Sequence, residues 1–277
     1  MSLIAIIGAG PIGSTLAHTL AARSRVREIR LIDAETRIAQ GKALDIQQSG
    51  PVENFSTTVV GVDSLHAAAG ADVVVIADAA SGTAEHTGDA GLALLRQIDA
   101  AGVSAPFVFA GASQRQLMKR CITELDLPAA RIIGTAPFAL ESAVRAMCGV
   151  IADCSAVEVS LALAGVPPTH AVVAWQEGTV SGQPLTSRLA PHDISALAAR
   201  IPGLWPPGPY ALGSAAARVT EALVAGSRKR FSCFVDYGRG TIVAVPVELG
   251  MGGVRRIIEP ALTTLERTAF DNSTGLP

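Results

Sequence analysis

The chain has 277 residues, 49 % of them apolar and 17 % charged, with a formal net charge of −2. That length suits about two domains with large aliphatic cores, and a charge so near zero excludes the basic field that recruits nucleic acid or an anionic membrane surface. Cys121, Cys148, Cys154 and Cys233 show no CxxC spacing and suit reduced thiols in a cytoplasmic protein.

The first apolar run, Leu3 to Ile7, predicts a strand. It begins too early for a signal peptide to precede it, and no run in the chain reaches the length of a membrane span. Next comes Gly8-Ala9-Gly10-Pro11-Ile12-Gly13, then a helical segment from Ser14 to Arg23, then a second strand, Ile29 to Ile32, ending at Asp33. Strand, glycine turn, helix, strand and acid is the order of a dinucleotide-binding βαβ unit. Gly8 permits the tight turn, Gly10 lets the backbone approach a pyrophosphate, and Gly13 lets the helix pack close to the sheet. The pyrophosphate would sit on the helix N-terminus, where free N–H groups and the dipole favour an anion. Asp33 lies at the distance expected of an acid that binds a ribose 2′-hydroxyl, which favours NAD over NADP.

A helix over Thr36 to Gln48 follows, stopped by Gly50-Pro51. Strands are predicted at Thr57 to Val60, Ala71 to Ile76, Pro106 to Phe109 and Arg131 to Gly134. A short helix, Ser64 to Ala69, a helix ending near Ala101 and another from Ser113 to Leu125 lie between them. Strands alternating with helices imply a doubly wound parallel sheet, an α/β fold. Beyond Ala136 the texture changes. Helices are predicted at Phe138 to Cys148, Tyr210 to Val224 and Val254 to about Phe270. Strands are predicted at Val157 to Ala164, Ala171 to Val180, Phe231 to Asp236 and Thr241 to Val247. This half reads as a second, α+β domain over residues 136–277.

Several stretches are similar to one family. They are the glycine turn with Leu31-Ile32-Asp33, then Gln40-Gly41-Lys42-Ala43-Leu44-Asp45-Ile46, Leu140-Glu141-Ser142-Ala143, Tyr210 to Ala217, and Val245 to Gly250 with Gly253-Val254. On these the chain resembles the lactate/malate dehydrogenases. The resemblance implies a Rossmann-type NAD-binding domain over residues 1–135 and a substrate domain after it. It implies hydride transfer between NAD and a small 2-hydroxy or 2-oxo acid. It implies a homodimer or homotetramer, with the helix Thr36 to Gln48 at an interface, and no metal. It puts NAD on Gly8, Gly10, Pro11, Ile12, Gly13, Asp33, Ala77, Ala79 and Gly111.

The family's catalytic set includes a His–Asp pair, an arginine that polarises the carbonyl and another that clamps the substrate carboxylate, and its mobile loop carries two arginines. Aligned on the resemblance, the loop arginines fall at Gly82 and Gly88 and the clamp arginine at Val144. The asparagine after the next strand falls at Gly111, the histidine at Pro167 and its acid partner at Glu141. Three residues are left as candidate catalysts: His86, beside Glu85 in the loop Ser81 to Asp89; Glu141; and His170, three residues past Pro167. The loop stands where the family's closes over substrate, so His86 and Glu85 are expected to face a ligand. Two functions follow: an oxidoreductase with a rebuilt substrate pocket, or a catalytically inactive NAD-binding pseudoenzyme or regulator.

Overall fold

The computed structural model describes residues 2–82 and 84–274. The first half alternates as its hydrophobic pattern requires: β1 (Leu3–Ile7), α1 (Pro11–Ala22), β2 (Glu28–Ile32), α2 (Thr36–Glu53), β3 (Thr58–Val62), β4 (Val73–Ile76), α3 (Gly88–Ala100), β5 (Phe107–Phe109), α4 (Arg115–Glu124) and β6 (Ile132–Gly134). These six strands run parallel in the order β3-β2-β1-β4-β5-β6. β4 and β5 are buried throughout, as parallel strands covered by helices on both faces must be. The strand order reverses between β1 and β4. A crevice opens there, outside the carboxyl ends of both strands, where open α/β sheets take their ligands.

The second half begins with α5 (Ala136–Ile151). It continues through β7 (Val159–Ser160), β8 (Leu163–Val166), β9 (His170–Val173), β10 (Thr179–Val180), β11 (Gln183–Pro184), α6 (Pro191–Arg200), α7 (Pro209–Val224), β12 (Arg230–Asp236), β13 (Ile242–Gly250), β14 (Gly253–Ile257) and α8 (Thr264–Thr274). β12 pairs antiparallel with β6 through Phe234 and Gly134, and the sheet runs on through β13, β8 and β9. The two halves therefore share one sheet. α7 lies against α1 so closely that a Cβ added at Gly213 would come within 2.8 Å of Thr15 Cγ2. The buried Glu221 of α7 joins Arg23, just past α1, at 3.4 Å.

Several sequence expectations change. α2 does not stop at Gly50-Pro51 but continues to Glu53; its stop is Asn54, left-handed at φ 58° and ψ 47°, whose N–H donates to the Gly50 carbonyl. Proline removes one helical N–H, and here that loss does not end the helix. Residues 171–180 are not one strand, since a turn at Trp175 to Gly178 separates β9 from β10, and the strand expected over Val157 to Ala164 divides likewise into β7 and β8, which belong to different sheets. The stretch from Val254 is a strand, not a helix. β13 turns back on itself through Met251 and Gly252, with Gly253 at φ +117°, and α8 starts only at Thr264, where the Thr263 and Glu266 side chains each accept the other's backbone N–H. No helix among the described residues is long and apolar enough to cross a membrane. All four cysteines are free.

Candidate active site

The glycine turn is built as its sequence implies. Gly8, at φ +109°, leads off β1, and a Cβ on it would lie 2.3 Å from the Asp78 carbonyl oxygen. A Cβ on Gly13 would lie 2.0 Å from the Gly8 carbonyl oxygen, so α1 sits against the strand end as only glycine allows. Pro11 opens α1, where its missing N–H costs nothing. The Ile12 and Gly13 N–H groups are then the free donors at the positive end of the helix.

Those donors are taken by Asp78, which follows β4 by two residues and is 2 % exposed. The Ile12 N–H donates to Asp78 Oδ2 at 3.1 Å and the Gly13 N–H to Oδ1 at 3.0 Å. Gly10 leaves the hollow in which this carboxyl lies: a Cβ there would be 2.4 Å from Asp78 Cγ. Asp33 is also drawn inward. Its Oδ2 accepts the N–H groups of Ala9 and Ala80, each at 2.8 Å, and its Oδ1 accepts that of Glu35 at 2.9 Å. The carboxylate expected to meet a ribose thus ties the glycine turn to the chain leaving β4. Asp33→Asn, which replaces one accepting oxygen by a donor, is expected to cost about 1.5–3 kcal/mol of stability, the range for hydrogen bonds to a charged group. Urea unfolding of both proteins measures it.

The loop after β4 folds back on the crevice. Asp78 and Glu85 form an antiparallel bridge, and Glu85 accepts the N–H groups of Ala112 at 2.9 Å and Ser113 at 2.7 Å. A Cβ on Gly111 would fall 2.2 Å from Glu85 Oε2, so this position holds the loop acid. The Ala77 N–H donates to Ile7 and that of Ala79 to Ala84, which keeps both residues at the crevice wall. Sequence reasoning passed over Gln114, which is fully buried. It accepts from the Gly111 N–H at 2.9 Å and donates to the Ala77 carbonyl at 3.2 Å and the His86 carbonyl at 3.3 Å. A polar side chain just before a helix was its only signal.

His86 is half-buried, and its Nε2 is enclosed with no partner among the described residues. Burial lowers its pKa from the ordinary 6.5, against the opposing fields of Asp33 and Asp78. The imidazole is therefore neutral at neutral pH, and the charges acting on it are those of Asp33 and Asp78 at the glycine turn. Gly82 and Gly88, where the resemblance would put arginines, are exposed at φ +72° and +60°. Thr83, between them, lies outside the described residues.

The other candidates lie apart. Glu141 on α5 is 6 % exposed, and burial pushes its pKa up to about 7, against the Ser232 hydroxyl and the Arg145 guanidinium, which lies 3.8 Å away. It lines a cavity of about 730 Å³ with Phe138, Arg145, Ser160 and Ser232. Val144 is fully buried, and Pro167 is buried in the turn after β8. His170 is exposed on β9, paired across the ladder with Val166. No hydrogen bond or ion pair among the described residues joins His86, Glu141 and His170, and no group of three metal-ligating side chains occurs there.

Residues 2–98 match the family model of the lactate/malate dehydrogenase NAD-binding domain. Malate dehydrogenase of Thermomicrobium roseum is 30 % identical over 294 residues, covering 98 % of this chain and 94 % of that one. The chain belongs to the lactate/malate dehydrogenase family. Malate dehydrogenase of Salinibacter ruber superposes with a TM-score of 0.87 at 25 % identity, over 99 % of this chain and 94 % of the other. Lactate dehydrogenase of Cryptosporidium parvum, solved with lactic acid and NAD, gives 0.87 at 23 % over 99 % and 95 %. The fold is the family's Rossmann-type α/β fold and NAD is the cofactor of the matched domain. Its backbone seat fits a diphosphate in contour and donors, but Asp78 already fills it, so seat and cofactor do not fit as the chain stands.

Proposed function

We propose that this chain is an NAD(H)-binding member of its family that does not carry out the lactate or malate reaction and acts as a nucleotide-responsive binding protein. One observation carries this reading: the loop after β4 brings acids and an uncharged imidazole to the crevice where the reaction needs fixed cations, and the Lys42 ammonium at the glycine turn is held by the Ala9 carbonyl. The charges acting on His86 are those of Asp33 and Asp78, and Glu85 stands beside it. A 2-oxo acid brings its own carboxylate and needs a bidentate cationic clamp. Val144, at the position the resemblance gives that clamp, is a buried aliphatic side chain. Pro167, at the position of the proton-transferring histidine, has no side-chain group that titrates or donates.

A second reading, an oxidoreductase for a carbonyl compound other than pyruvate or oxaloacetate, is favoured by Glu141, whose cavity is also lined by Arg25, Arg145, Arg218, Lys229 and Arg230. A buried carboxyl whose pKa is about 7 is matched to proton transfer at neutral pH; the cavity it lines takes in no described residue of the glycine turn or of the loop after β4, so this reading requires the nicotinamide end of the cofactor to reach that cavity. Calorimetry with NADH, followed by a screen of carbonyl compounds monitored by the absorbance of the reduced nicotinamide, tests both. The first reading expects heat on NADH binding and no oxidation by pyruvate or oxaloacetate. Rapid oxidation by either acid overturns it. Oxidation by another carbonyl compound that disappears in Glu141→Gln selects the second.

A further inference from the structure

We propose that Asp78 is an internal stand-in for the cofactor's diphosphate, so that NAD(H) enters only by displacing this carboxylate. The inference rests on NAD being the cofactor of the matched domain and adds what controls its entry. A diphosphate at a Rossmann turn is bound by the backbone N–H groups that open the first helix. In this chain those are the Ile12 and Gly13 donors, and each bonds a separate oxygen of Asp78, at 3.1 and 3.0 Å. A carboxylate held by two backbone N–H groups uses the donors and the charge preference that a phosphate would use.

Contour gives the same answer independently of the hydrogen bonds. The hollow that Gly10 leaves open is where a phosphate would approach the backbone. A Cβ built there lies 2.4 Å from Asp78 Cγ and 2.5 Å from Oδ2. Two groups cannot share that space, and both are anionic.

An ordinary helix cap does not account for the arrangement. A capping side chain comes from the residue just before the helix, which is Gly10 and has none. This one comes from 66 positions along the chain, across the crevice. It is also held in place: the Asp78 carbonyl accepts the Gly10 N–H at 2.8 Å, and the Ala80 N–H is held by Asp33. The enclosed Nε2 of His86, on which the Asp78 charge acts, has no partner among the described residues.

NADH, adenosine and inorganic pyrophosphate are titrated into the full chain and into Asp78→Asn and Asp78→Ala, with a thermal melt of each protein. Because apparent affinity scales with the fraction of molecules whose seat is open, both variants are expected to bind NADH about tenfold more tightly or better. Pyrophosphate should gain in parallel. Adenosine, which has no diphosphate, should not change. In the parent chain the diphosphate should add little, so NADH should bind within about tenfold of adenosine. Variants that melt like the parent and bind NADH no more tightly overturn the proposal while leaving the cofactor assignment intact. So does a parent that already prefers NADH over adenosine by about a thousandfold, a result that needs no variant to fold. Absence of NADH binding in the parent and in both folded variants overturns the proposal and the cofactor assignment together.

Discussion

Pyruvate or oxaloacetate supplied with NADH is expected to be reduced at less than about 10⁻² per second, against roughly 10 per second for a typical enzyme. Removing one group that stabilises developing charge in a transition state costs about 10²–10³ in rate. Four positions bear on this chemistry: Gly82, Gly88, Val144 and Pro167. Such losses do not multiply, because catalytic groups act as a unit, so the expectation is set by the equivalent of one or two of them. Restoring one is not expected to rescue the reaction. Val144 is fully buried, and an arginine there would bring an unpaired guanidinium into an apolar interior. Steady-state reduction of either acid at about 10 per second would show that the register placing Pro167 and Val144 at those positions is wrong.

Glu141→Gln is expected to stabilise the protein, and to do so only on the alkaline side. Burial raises the folded-state pKa of Glu141 from the ordinary 4.5 to about 7. Between these values the folded chain keeps a proton that the unfolded chain has released, so stability falls as pH rises through the window. Below about pH 4.5 both states are protonated and the cost is absent; above about pH 7 it is complete. The window is worth up to about 3 kcal/mol, roughly 6–12 °C in melting temperature for a chain of this size. Glutamine keeps the shape and an accepting oxygen for the Ser232 hydroxyl without the charge. Melts of parent and variant at about pH 5 and pH 8 measure the effect. A difference that is the same at both values would show that Glu141 is ionised in the folded chain across the whole range, held by Arg145.

The fold was legible where local signals agreed. Leu3 to Ile7, the glycine turn and Asp33 lie within one short stretch, and each placement depends on neighbours a few residues away. Errors arose where a local rule met a tertiary contact. Pro51 reads locally as a stop, but the left-handed residue at Asn54 ends α2. Val254 looked like the start of a helix, but pairing with β13 makes it a strand. The cofactor cradle was legible for the same reason the first strand was. Its occupant was not, because the Asp78 contact spans 66 positions and depends on where the chain turns after β4. The roles expected of Asp33 and Glu85 changed for a related reason: both acids are consumed by backbone N–H groups that the sequence does not place.

The closeness of α7 to α1 bears on how the chain could be cut. Thr15 and Leu16 have no room for even a methyl group between themselves and Gly213, and Arg23 is neutralised by Glu221, nearly two hundred residues later. A fragment ending near residue 135 would keep the glycine turn but lose the surface that roofs its helix, and β6 would become a bare edge without Phe234 beside Gly134. Such a fragment is expected to aggregate on its own. Adding the remaining polypeptide during refolding should bring it into solution, as a non-covalent pair that sediments at the mass of the intact chain.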